Sequence, residues 1–79
     1  MTKLVEINEC GIYYFKLLDY LNDRNIPVTK LCNETNTDYK VIRRLGLGDL
    51  YKLDLYVLAR LCSYLKCDMT DIIDYRNND

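Results

Sequence analysis

The chain has 79 residues, 49% of them hydrophobic, and a formal charge of −1. That length suits one domain with a small core, and only three glycines and one proline argue against disorder. A pI near 5.3 excludes binding to nucleic acid through bulk positive charge and leaves room only for a local basic face.

Leu4, Val5 and Ile7 are β-prone with Glu6 and Asn8 between them, so residues 1–11 read as a short strand or a loose tail. A strand there could pair with a second copy. Acidic residues stand where a secretory leader would carry its apolar core, so none is expected. Gly11 marks the edge of this segment.

A first helix is expected from Ile12 to about Asn25. Tyr14, Leu17, Leu18 and Leu21 repeat at helical spacing, and Lys16, Asp19, Asn22 and Asp23 supply the polar side. Pro27 disfavours helix at Ile26, so the helix stops there, with Arg24 suiting its C-terminal end.

Pro27 also pre-sets a second helix, about residues 29–35, with Leu31 and Cys32 inward and Lys30, Asn33 and Glu34 outward. Asn36 tolerates the left-handed turn that ends it. Asp38 then caps a third helix over 38–45. Val41, Ile42 and Leu45 are its apolar positions, and Tyr39, Lys40, Arg43 and Arg44 remain for solvent or a partner. Gly46 reads as its stop, followed by a loop pinned by Leu47 and Leu50.

Asp54 caps a fourth helix with an inward stripe of Leu55, Leu58, Leu61, Cys62 and Leu65. Asp68 and Asp71 have capping-box spacing for a last short helix through Ile72 and Ile73. Residues 76–79 form a polar end. The expected architecture is all-α, five helices over 12–75.

The stretch Leu31–Leu45 is therefore two short helices joined by a tight turn. Between Val28 and Lys52 the charges sum to +2, against −3 elsewhere. DNA recognition needs cations for phosphates and forked donors for base edges. Tyr39, Lys40 and Arg43, near the start of the helix, are the base-edge candidates. Arg44, Lys30 and Lys52 are the phosphate candidates. The plainer reading is a solvated helix face with ordinary charges.

The other chemistries are poorly served. No His is present, so no Ser or Cys has an imidazole base, and no catalytic residue is nominated. The close cysteine pair, Cys62 and Cys67, lacks zinc-site spacing, and a disulfide framework is not expected. Asp68, Asp71 and Asp74 recur every three residues; capping and a solvated face explain Asp68 and Asp71 better than metal binding does, and Asp74 has no such account. No apolar run approaches the roughly 20 residues of a membrane span. No cofactor, metal or small-molecule substrate is implied, and a cytoplasmic location is expected. Tyrosine is abundant, eight against one Phe and no Trp, and suits a core rim or an association surface.

From Ile12 to Tyr75 the pattern resembles the Xre/Cro-type (lambda-repressor-like) helix-turn-helix proteins. The resemblance rests on Asp23-Arg24, the Leu31–Leu45 motif, Leu55 to Cys62 with its leucines three apart, and Leu65-Lys66-Cys67-Asp68 with Asp71-Ile72-Ile73. In that likeness the family's small first-helix residue falls on Cys32 and its turn glycine on Asn36. Thr37 stands at an apolar plug, and Asp38 where a neutral hydroxyl usually lies near a phosphate. Ile42 matches the buried isoleucine of the recognition helix. The resemblance implies a homodimeric, double-stranded-DNA-binding transcriptional regulator with the DNA-binding set Lys30, Asp38, Tyr39, Lys40, Arg43, Arg44 and Lys52. The acidic pI and Asp38 favour an alternative: an interaction module on this scaffold, with weak or no DNA binding.

Overall fold

The computed structural model describes residues 2–78. Met1 and Asp79, the extremes of the two expected terminal segments, lie outside the described residues. The elements in order are β1 (Lys3–Ile7), β2 (Gly11–Phe15), α1 (Leu17–Asp23), α2 (Val28–Thr35), α3 (Tyr39–Leu47), α4 (Leu55–Leu65), a 3-10 turn (Met69–Asp71) and β3 (Ile73–Asn77). Among the described residues this makes four α-helices and one three-stranded antiparallel sheet. The expectation of an all-α, five-helix fold is overturned.

Two segments account for the difference. Ile12, Tyr13, Tyr14 and Phe15 are consecutive β-branched and aromatic side chains, which pack better on a pleat than on a helix. They form the middle strand of the order β1-β2-β3. Val5, Tyr13 and Tyr75 align across the three strands, as do Lys3, Phe15 and Ile73. The Tyr13 and Tyr75 rings lie 4.9 Å apart. Only Leu17, Leu18 and Leu21 of the expected helical stripe are on a helix.

Gly11 does not separate a tail from a helix. A Cβ there would lie 2.1 Å from the Arg76 carbonyl oxygen, so glycine is what lets β3 approach β2. Likewise the expected fifth helix lasts a single turn. Asp68 and Asp71 do form a capping box, with the Asp68 N–H donating to the Asp71 carboxylate at 3.0 Å. The chain then turns into the sheet. The Lys16 N–H donates to the Ile72 carbonyl at 2.7 Å, and β-branched Ile73 starts β3.

The core is shared between the layers. Leu17, Leu21, Leu31, Ile42, Leu61 and Ile72 are fully buried. Each such side chain contributes about 1.5–3 kcal/mol relative to exposure. Phe15 and Ile73 carry the sheet's inner face into the same cluster. Leu55, expected inward, is 72% exposed at the first position of α4, and Val57 fills the inward position instead.

Gly46 lies inside α3 and does not end it. A Cβ at Gly46 would sit 2.8 Å from Leu18, so α1 and α3 cross at this glycine. The stop is Gly48, left-handed at φ 72°, after which the Asp49 N–H returns to the Arg44 carbonyl at 3.0 Å.

Candidate nucleic-acid interface

The pair α2 and α3 is set by three local devices. Pro27, extended at φ −65°, precedes the first turn of α2. Asn36, at φ 51° and ψ 47°, makes the left-handed turn. Asp38 caps α3, its carboxylate accepting the Lys40 N–H at 3.0 Å.

Thr37, standing where the related pattern has an apolar plug, is nonetheless buried. Its hydroxyl donates to the Thr35 carbonyl at 3.1 Å. The Thr35 hydroxyl donates to the Leu31 carbonyl at 2.6 Å, and the two hydroxyl oxygens are 3.0 Å apart. The turn therefore buries two hydroxyls with partners for both, which removes the usual cost of a buried polar group. From α4, Arg60 Nε donates to the same Thr35 carbonyl at 3.1 Å. Sequence reasoning missed Thr35 and Arg60, since nothing local to either residue announces a contact made by the fold.

Along α3, at about 100° per residue, Tyr39, Lys40, Arg43 and Arg44 fall on one side. All four are exposed, while Ile42 and Leu45 are buried on the other side and Gly46 is buried at the edge, next to Tyr39. Val41, expected inward, is 40% exposed, and Leu47, expected in a loop, is 38% exposed at the end of the helix. By the same helical geometry Leu47 lies beside Lys40 and Arg43. Apolar groups among cations suit contact with thymine methyls as well as base-edge hydrogen bonds.

Arg44 and Lys52 come together. They line one shallow cleft with Asp49, Leu50 and Tyr51, and a second with Val41, Leu53, Asp54 and Val57. Lys30 is exposed on α2 and is not among the residues lining either cleft. Asp38, Asp49 and Asp54 lie within or beside this basic set, so positive charge there is interrupted. Asp38 and Asp54 are both committed as caps, Asp54 accepting from the N–H groups of Tyr56 and Val57 at 2.9 and 3.2 Å. Among the described residues no helix is long and apolar enough to cross a membrane.

A capped helix held across a tight turn from its partner, with an exposed basic face, defines a helix-turn-helix DNA-binding domain. Residues 16–78 match the family model of the Cro/C1-type HTH DNA-binding domain, and the chain belongs to that family. It is also similar to a crystal structure of the transcriptional regulator VanUg (Form II). The TM-score is 0.68 at 27% identity, covering 94% of this chain and 96% of that one. No curated protein matches the chain.

Proposed function

We propose that the chain is a sequence-specific, double-stranded-DNA-binding transcriptional regulator that lays α3 in the major groove. The observation that carries this is the exposed side of α3, where Tyr39, Lys40, Arg43 and Arg44 stand opposite a buried Ile42 and Leu45. In this reading Tyr39, Lys40 and Arg43 meet base edges, and Arg44, Lys52 and Lys30 meet phosphates. Asp38 sits at the phosphate-facing start of the helix. The active species is a homodimer, whose two copies of α3 read half-sites about 34 Å apart.

The test is a gel shift against a randomised duplex pool, with selection of bound sequences. Binding is expected at about 50 mM salt and to weaken steeply towards 200 mM. The double variant Arg43→Ala, Arg44→Ala should lose binding while its circular dichroism stays unchanged. Retained binding would sink the assignment to α3. Sedimentation equilibrium on the DNA complex reads the stoichiometry, and one chain per site would remove the dimer.

A second reading has its own support. Tyr51, Leu55 and Tyr56 are 106%, 72% and 81% exposed beside Lys52, more apolar surface than a DNA-facing edge needs. With Asp49 and Asp54 nearby, it suits a protein partner. Absence of duplex binding at low salt would favour this interaction module.

A further inference from the structure

The C-terminal end of α4 brings two thiols together. Lys66 is left-handed at φ 54°, and the Cys67 N–H reaches back to the Cys62 carbonyl at 3.1 Å. This helix closure places the side chains of its two hydrogen-bonded positions in contact. Both cysteines are free thiols, half-buried and packed against the core. Burial, followed by the neighbouring Cys62 thiol, pushes the Cys67 thiol up, against the pull of a hydrogen bond with Tyr20. The remaining cysteines sit elsewhere: Cys10 is exposed after β1, and Cys32 is buried on α2.

We propose that Cys62 and Cys67 form a redox-modifiable pair that closes to an intramolecular disulfide by exchange with a low-molecular-weight disulfide such as oxidised glutathione. One thiolate attacks a glutathione sulfur, forming a mixed disulfide and releasing one glutathione thiolate. The second thiolate attacks the protein sulfur of that mixed disulfide and releases the other. The protein dithiol is oxidised and the glutathione disulfide reduced, and the two cysteine protons end on two glutathione thiols. The Cys67 N–H to Cys62 carbonyl hydrogen bond keeps the two residues side by side at the end of α4, the proximity a disulfide requires. The raised Cys67 thiol makes the reaction slow at neutral pH and faster as pH rises.

The experiment incubates the folded chain with excess oxidised glutathione at about pH 8.5, then blocks remaining thiols by alkylation. Intact mass and a non-reducing tryptic map read the product. The expected product is a monomer lacking two hydrogens, with the peptide ending at Lys66 linked to the one beginning at Cys67. Its unfolding midpoint should rise by roughly 5–10 °C. Cys62→Ser and Cys67→Ser should each abolish the link, and Cys10→Ser should leave it intact. The wild-type map stands alone if either inner variant fails to fold. Glutathione adducts that persist without a link would overturn the proposal. So would Cys10-linked dimers with Cys62 and Cys67 both alkylated, or a midpoint that falls.

Discussion

Arg60 Nε donates to the Thr35 carbonyl at 3.1 Å, and so ties α4 to the last turn of α2. That carbonyl also accepts the Thr37 hydroxyl, and Thr37 precedes the cap of α3. A single oxygen is thus a shared anchor for three segments. Arg60→Ala should destabilise the fold by about 1 kcal/mol, below the roughly 1.5–3 kcal/mol of a charged hydrogen bond because the residue is exposed. Urea unfolding checks it: the midpoint should fall with the slope unchanged.

Asp38 separates capping from charge. Asn caps as well as Asp but carries no charge. Asp38→Asn should leave stability within about 0.5 kcal/mol and tighten duplex binding several-fold at low salt, an advantage that shrinks as salt rises. Asp38→Ala should cost about 1 kcal/mol of stability. Thermal unfolding beside a salt-titrated binding isotherm distinguishes the two effects. Equal DNA affinity for wild type and Asp38→Asn would show that no phosphate approaches this carboxylate.

At Gly46 the constraint is steric. Gly46→Ala adds a methyl 2.8 Å from Leu18, in a helix that would otherwise favour alanine. A net loss of about 1–3 kcal/mol is expected. Adding Leu18→Ala should recover part of it, and the double-mutant cycle measures the coupling. Additive losses would mean that α1 and α3 do not meet at this glycine.

Arg43 and Lys52 should fail in different ways. Arg43→Ala should cost about 1–3 kcal/mol on the preferred site and relax preference at one base position. Lys52→Ala should weaken all duplexes about equally and reduce the slope of log affinity against log salt by about one. Binding to a panel of single-base variants at three salt concentrations reads both outcomes.

The middle of the fold was legible because its signals are local. Pro27, Asn36, Asp38 and Asp54 act on their own turns, and each works in the structure as its residue type suggests. The exposed side of α3 followed from helical spacing once Asp38 fixed its start. The two ends were misread because their signals are shared. Tyr14 fits a helical stripe with Leu17 and Leu21, yet Ile12–Phe15 are also consecutive β-branched and aromatic residues that suit a strand, and only pairing with β1 and β3 decides. Gly46 looked like a helix stop because crowding by Leu18, remote in sequence, is invisible locally. Val41 and Leu47 were misplaced for a related reason: the inward side of α3 is defined by what α1, α2 and β2 cover. Arg60 and Thr35 needed the packing of α4 on α2 before their contact existed.

Strand β2 lies between β1, from the start of the chain, and β3, from its last described residues. During synthesis, residues 2–72 therefore emerge with one side of β2 unpaired and with Phe15 lacking its neighbour Ile73. Helices α2 and α3 and the β1–β2 hairpin can form in that interval, but the sheet is complete only once Ile73–Asn77 joins it. Completion of the three-stranded sheet is thus timed to translation of β3. A released chain ending at Ile72 should be cut by proteases more readily than one that carries β3.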